Sequence, residues 1–303
     1  MRETAYAKLN LALHVRRRRE DGYHELETLF AFCEHGDVLS AAPAGADSLQ
    51  VLGEFADMLQ ESPLPTGEGP GVGGLPSEDC DVASPPPDLP PKGGMSNADN
   101  LVARALNALP RPEGLAITLE KNLPVAAGLG GGSADAGAVF RIVEHLHGLP
   151  EDWQDCALKL GADVPACVRS EMAVGRGVGE ELAPLENDLA GMPVLLVNPR
   201  VPLSTGPVFK AWDRRDRGAL PDGTARDIAL HGRNDLEAPA VSICPVIADV
   251  LAALRETGPL LARMSGSGAT CFALYDSAEA RDTADRAIAD RRPGWWRMAT
   301  ALR

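Results

Sequence analysis

The sequence predicts an α+β protein of two domains, a mixed α/β unit over residues 1–186 that carries a glycine-rich loop and a smaller α+β unit over residues 187–303. Three observations predict it. The 303 residues amount to two domains at roughly 150 residues each. Hydrophobic periods of two and of 3.6 alternate along the chain, as they do where strands and helices are mixed. The last third closes on a strand, helix, strand succession that suggests a βαβ unit.

Taken in order, Tyr6, Leu9, Leu11, Leu13 and Val15 mark a first strand, and on period two Lys8, Asn10, Ala12 and His14 share its opposite face. Arg16 to Arg19 followed by Glu20-Asp21-Gly22 marks a hairpin turn, where a basic run is ordinarily solvated. Residues 61–95 hold nine Pro, seven Gly and six acids against Lys92 alone, a composition that predicts a disordered insertion. A helix follows from Asn100 through Val102, Ala105, Leu106 and Leu109, with Asn97 or Asp99 as its cap. Next come a strand over 117–120, a helix from Ser133 whose inner face is Val139, Ile142, Val143 and Leu146, and a short helix over 152–160. The second unit reads as a buried strand over 193–198, a helix over 246–255, a strand over 270–275, a helix over 278–291 and a strand over 295–301.

Composition narrows the function. Lys plus Arg number 29 and Asp plus Glu 43, a formal net charge of −14. Such a chain offers no general field for nucleic acid or an anionic membrane, so a phosphorylated ligand must be held by local positive groups. The six cysteines show no C-x-x-C pair and no histidine at ligand spacing, which suits reduced thiols. The start lacks a basic segment followed by an apolar one, and no window is long and apolar enough to span a bilayer. The expectation is a cytoplasmic protein; its oligomeric state is not legible.

The most informative stretch is Pro124-Val125-Ala126-Ala127-Gly128-Leu129-Gly130-Gly131-Gly132-Ser133-Ala134, which runs into a helix. Glycines permit positive φ and bare backbone, so several N–H groups converge on one anion while the helix N-terminus adds partial positive charge. The loop lacks the lysine that a Walker A motif requires, and Ser133 occupies the place of the last glycine of a dinucleotide fingerprint. A tight helix start capped by Ser133 is the plainer alternative.

This segment resembles the phosphate loop of the galactokinase, homoserine kinase, mevalonate kinase and phosphomevalonate kinase (GHMP) superfamily. Met264-Ser265-Gly266-Ser267-Gly268-Ala269-Thr270 resembles that superfamily's late glycine motif. Ala7-Lys8-Leu9-Asn10-Leu11, Asp21-Gly22-Tyr23-His24-Glu25-Leu26 with Thr28-Leu29-Phe30, and Leu160-Gly161-Ala162-Asp163-Val164-Pro165 are similar to its branch that phosphorylates a cytidine-diphosphate-linked methylerythritol. Two departures stand out: Ala134 occurs where a second serine is common, and the 61–95 insertion replaces a short connection.

The resemblance implies a two-domain GHMP-kinase-like fold and a small-molecule kinase. ATP would bind at residues 124–134, with Mg²⁺ carried mainly by the phosphates near Ser133. Its γ-phosphate would pass to the 2-hydroxyl of the methylerythritol moiety, on the route to isoprenoid precursors. Asp163 is then the catalytic base, which in-line phosphoryl transfer needs beside the attacking hydroxyl, and Lys8 is the cation beside it. Asn10 would contact substrate. Tyr23 and Phe209 would stack on the cytosine, His24 would read its edge, and Phe30 and Thr205 would line the same pocket. Asn234-Asp235-Leu236 resembles a further family segment without an assignable role.

Overall fold

The computed structural model of the protein describes residues 1–61 and 100–303. The Pro- and Gly-rich stretch, apart from residue 61, and the two expected cap residues Asn97 and Asp99 lie outside the described residues. Asn100 itself caps the following helix, its side chain accepting from the Val102 N–H at 2.8 Å.

In chain order the first part comprises β1 (Arg2–Arg18), β2 (His24–Ala44), β3 (Ser48–Leu52), α1 (Ala56–Glu61), α2 (Leu101–Ala108), β4 (Gly114–Glu120), α3 (Gly131–His147), α4 (Trp153–Leu160), α5 (Val164–Arg169), β5 (Ala173–Arg176) and β6 (Glu181–Pro184). β2 is the hub of a six-stranded sheet. One of its edges takes β1 along almost its full length, and the other takes β5 near Thr28 and β4 from Val38 onward. β3 and β6 extend the sheet beyond β4 and β5. The helical faces follow the apolar spacing, with Val139, Ile142 and Val143 of α3 fully buried, but Leu146 is 38% exposed because the last turn runs past the sheet into solvent.

The strand alternation needs one correction. Register breaks between Tyr6 and Lys8, Asn10 and Ala12, and Val15 and Arg17, and each bulge shifts which side chains face inward. Lys8 and Asn10 therefore keep the shared face expected of them. Ala12 instead joins Leu9 and Leu11 in one core cluster, and His14 directs Nδ1–H to the carbonyls of Gly218 and Ala219 at 3.1 and 2.9 Å.

The second part comprises β7 (Pro193–Asn198), α6 (Thr205–Lys210), α7 (Ala225–His231), α8 (Glu237–Ile243), α9 (Val246–Arg255), β8 (Leu261–Met264), β9 (Cys271–Leu274), α10 (Ala278–Arg291) and β10 (Trp296–Ala301). Its sheet has the order β10-β7-β9-β8. β9 and β10 are each antiparallel to β7, which lies between them, so the expected βαβ closure is a split one. No helix among the described residues is long and apolar enough to cross a membrane.

One apolar cluster joins the two sheets. Ala7, Leu9 and Leu11 of β1 pack with Val194 and Leu196 of β7, Phe272 and Leu274 of β9, and Leu123 and Leu129 from the glycine loop. Phe272 is fully buried there. We expect Phe272→Ala to lower unfolding free energy by about 3–5 kcal/mol, the range for emptying a buried aromatic site. Urea unfolding of wild type and variant checks this, and a change under 1 kcal/mol would show that the shared core does not hold the sheets together.

Candidate active site

The glycine loop leaves β4, turns back and starts α3. Ala126, Gly128 and Gly130 have φ of 52°, 75° and 60°. Packing also demands the two glycines. A Cβ on Gly128 would lie 2.4 Å from the Ser265 carbonyl oxygen, and one on Gly130 would lie 2.8 Å from Lys8 Cε. Backbone groups hold the loop in that cleft, with Lys8 N–H donating to Leu129 O at 3.0 Å and Thr270 N–H to Ala127 O at 3.1 Å. The Ser265 hydroxyl donates to Gly128 O at 2.9 Å and accepts from Asn10 N–H at 3.2 Å, fastening the late glycine motif to both β1 and the loop.

Gly130 is the N-cap of α3 and supplies no side-chain cap, so Ser133 lies within the first turn and is not the cap. The first intrahelical bond is Ala134 N–H to Gly130 O, which leaves the N–H groups of Gly131, Gly132 and Ser133 without intrahelical acceptors. These are the donors an anion would use. Pro124 and Leu129 are buried and Val125 half-buried, so they anchor the loop. Ala134 is also buried, within the first domain's core, so the hydroxyl missing from it is one that would point inward.

Under the loop lies an ion cluster that sequence patterning did not reveal. Lys121 Nζ meets Asp37 at 2.5 Å and Asp135 at 2.8 Å, all three being at most 3% exposed. Asp37 also accepts from Asn122 and Leu123 N–H at 2.6 and 2.8 Å, which sets the turn into the loop. One ammonium cannot neutralise two buried carboxylates. Asp135, whose Oδ1 has no partner among the described residues, bears the unpaid desolvation and is pushed up to about 7, while the two acids hold Lys121 above its ordinary value.

On the open side of Gly130, Lys8 Nζ pairs with Asp163 Oδ2 at 2.8 Å. The ammonium is nearly buried, but the carboxylate side chain is 37% exposed. Asp163 is the N-cap of α5 and makes no side-chain cap bond, with Pro165 in the first turn restricting the backbone that aims it. Asn10 Oδ1 lies 3.5 Å from Lys8 Nζ, and its Nδ2 donates to Thr28 Oγ1 at 2.7 Å. Asn10 thus orients the lysine. Phe30 departs from expectation. It is 1% exposed, belongs to the first domain's core, and lies 4.5 Å beneath Lys8 Nζ as a cation–π platform, apart from the aromatic group described next.

That group forms around the hairpin tip. The His24 imidazole lies 4.9 Å from the Phe209 ring and 5.7 Å from Trp212, which meets it edge-on. Burial lowers the His24 pKa first, and the charges of Arg18 and Arg214 lower it further, favouring a neutral ring with one donor and one acceptor nitrogen. Tyr23, in the turn, is 56% exposed and free to cover a ligand. Thr205 starts α6 and its hydroxyl lies 3.0 Å from that of Ser267, so it borders the late glycine motif. Asn234 now has a role: its amide donates to Met264 O and Gly266 O, both at 2.8 Å. The sequence signal for Trp212 was its spacing of three from Phe209. Nothing in the sequence pointed to Asp37.

Two expectations follow for the buried cluster. Lys121→Met leaves two carboxylates facing each other and should cost about 3–5 kcal/mol of stability, as breaking a buried ion pair does. A raised folded-state carboxyl contributes stability that is complete below the unfolded value near 4 and is lost as pH rises through the folded value near 7. Asp135→Asn should therefore flatten the fall in stability between about pH 4 and 7. Unfolding curves over that window check it, and an unchanged pH slope would remove Asp135 as its source.

Comparison with known proteins agrees with this geometry. Residues 100–171 match the GHMP kinases N terminal domain and residues 219–292 the GHMP kinases C terminal model. The chain is 60% identical to 4-diphosphocytidyl-2-C-methyl-D-erythritol kinase of Erythrobacter litoralis over 99% of its own length and 98% of that protein's. It is also 60% identical to the enzyme of the same name from Novosphingobium aromaticivorans, over 100% and 93%. A crystal structure of 4-(cytidine 5'-diphospho)-2C-methyl-D-erythritol kinase superposes at a TM-score of 0.74 with 32% identity, covering 100% and 99% of the two chains. A homoserine kinase from Cytophaga hutchinsonii, 18% identical at a TM-score of 0.61 over 99% of this chain and 95% of that one, shares the fold. The pairing of a glycine loop with Lys8 and Asp163 thus sits in a small-molecule kinase, and the chain belongs to the 4-diphosphocytidyl-2-C-methyl-D-erythritol kinase family of the GHMP kinases.

Proposed function

We propose that this chain transfers the γ-phosphoryl group of ATP to the 2-hydroxyl of 4-diphosphocytidyl-2-C-methyl-D-erythritol, giving the 2-phosphate and ADP. The observation that carries the reading is the Lys8–Asp163 pair at 2.8 Å, with Lys8 packed against the glycine loop at Gly130. The triphosphate takes the N–H groups of Gly131, Gly132 and Ser133 at the start of α3. The hydroxyl oxygen attacks Pγ, its proton passes to Asp163, and the bond from Pγ to the bridging β,γ-oxygen breaks as ADP leaves. Lys8 holds the carboxylate in place and offers positive charge to the equatorial oxygens. Asn10 and the Phe30 ring fix the ammonium.

The donor set fits Mg²⁺ that arrives with the nucleotide. The phosphates would hold most of it, with Ser133 in the first turn of α3 beside it, while Asp135 is engaged by Lys121. When bound, Mg²⁺ neutralises phosphate charge. At the far end the cytosine lies between Tyr23 and Phe209, with His24 at its edge. We place the domain division near residue 186, where the chain leaves the first sheet after Pro184 and enters the second at Pro193, and we assign the enzyme to the cytoplasm.

Release of ADP with the diphosphocytidyl substrate tests the reading directly; no release above that with homoserine or mevalonate would reject it. Asp163→Asn should keep ATP affinity and lower turnover by roughly 10²- to 10⁴-fold, the usual loss with a general base. Tyr23→Ala and Phe209→Ala should each raise KM for the cytidine substrate by roughly 5- to 150-fold, as expected for one lost stacking ring, and leave KM for ATP unchanged. A rise in the KM for ATP alone would exchange the two pockets.

A further inference from the structure

The β1–β2 hairpin carries two histidines that are oriented by different means. His14 spends both ring nitrogens on backbone: Nδ1–H donates to the carbonyls of Gly218 and Ala219 at 3.1 and 2.9 Å, and Nε2 accepts from Arg233 N–H at 3.1 Å. His24 has no hydrogen-bond partner among the described residues. Two rings face it instead, Phe209 at 4.9 Å and Trp212 at 5.7 Å, the latter with an interplanar angle of 83°. An imidazole that offers its nitrogens to a ligand has to be aimed by contacts that do not consume them, and ring packing is such a contact.

The two rings are not equivalent. Both come from the end of α6, where Trp212 N–H donates to Phe209 O at 3.2 Å. Phe209 is half-buried at the margin of the second part's core. Trp212 is 4% exposed and lies inside that core, among Leu13 and Val15 of β1 and Val208 and Leu236 of the second part. It is therefore the fixed wall of the pair. For packing alone it is a poor choice, because its indole N–H is buried with no acceptor among the described residues, a loss that Phe or Leu would not incur.

We propose that Trp212 is a positioning residue for the alcohol substrate: its buried ring holds the His24 imidazole at right angles, so that His24 meets the base with both nitrogens unspent. The proposal rests on the reading of His24 as the group at the cytosine edge. The wall belongs to the second part of the chain and the histidine to the first, so the base pocket is complete only when the second part is seated on β1. Trp212 then governs binding of the diphosphocytidyl substrate and not the rate of transfer, since the Lys8–Asp163 pair is held by other contacts.

The test is steady-state ADP release by wild type, Trp212→Leu, Trp212→Phe, His24→Ala and the double variant of His24→Ala with Trp212→Leu. Trp212→Leu should raise KM for the diphosphocytidyl substrate by roughly 2- to 13-fold, the worth of one edge-to-face ring pair, with kcat and KM for ATP within about twofold of wild type. Trp212→Phe keeps a ring against the imidazole and should recover most of the loss, although it has no N–H. In the His24→Ala background the Leu substitution should change the same KM by less than about twofold, because the group it acts through is gone. An equal rise in both backgrounds means that Trp212 serves Phe209 or the turn itself, and overturns the proposal. So does a Leu variant with the wild-type KM, or a Phe variant as impaired as the Leu one. Should Trp212→Leu not fold, Trp212→Met, whose side chain fills irregular space, runs the same cycle. In an active enzyme, His24→Ala with an unchanged KM for the diphosphocytidyl substrate rejects the reading of His24 on which the proposal rests, and a wild type that releases no ADP with that substrate rejects the kinase reading itself.

Discussion

Three stretches of chain meet through close backbone approaches, and the rest of the site is arranged around that meeting. Gly128 lies against the carbonyl of Ser265, Gly130 against the stem of Lys8, and Thr270 donates back to Ala127. Docking through main-chain groups has a consequence for chemistry. With main-chain bonds and the Ser265 hydroxyl holding the loop, Lys8 faces Asp163 and the α3 N-terminus presents unused donors. A methyl group at Gly128 would collide with backbone, which has no rotamer by which to yield.

Two lysines flank the start of α3, and the contrast between them explains their uses. Lys8 packs against Gly130 and Lys121 Nζ lies 3.1 Å from where a Cβ on Gly131 would sit. Both ammoniums are nearly buried. The difference is in their partners: the Asp163 side chain is 37% exposed, while Asp37 and Asp135 are sealed. A sealed carboxylate cannot reach a substrate proton. The inner cluster therefore holds β2, the turn at Asn122 and α3 in register, and the outer pair stays open to solvent at Asp163.

Much of this was legible in the sequence because the features were local. Helix and strand positions after Asn100 follow from apolar spacing, and the glycine loop, Lys8, Asp163 and His24 lie in short motifs whose residue types limit what they can do. What failed was non-local or depended on irregular backbone. The bulge between Asn10 and Ala12 has no composition signature, so period two put His14 on the wrong face. Phe30 looks the same in sequence whether it touches a base or a lysine; in the fold its buried ring lies under the Lys8 ammonium. Asp37, Lys121 and Asp135 are scattered in sequence and meet through tertiary packing alone.

Neither half of the chain holds a complete site. The first supplies Lys8, Asp163, the glycine loop and the hairpin tip; the second supplies Ser265, which ties that loop to β1, and Phe209 and Trp212, which enclose His24. Asn234 and Asp235 make the join firm, Asn234 through Met264 and Gly266 and Asp235 by accepting from Val15 N–H at 2.8 Å. The same strand, β1, thus carries Lys8 at its middle and the docking of the second half along its edge. A disturbance of that docking should reach the glycine loop and the His24–Phe209 rings together, since both are fastened to one hairpin. The mixed core beneath it, Leu9 and Leu11 against Leu196 and Phe272, keeps the two at a fixed separation. In-line transfer requires that separation, because an attacking oxygen displaced by 1 Å loses most of the benefit of being positioned.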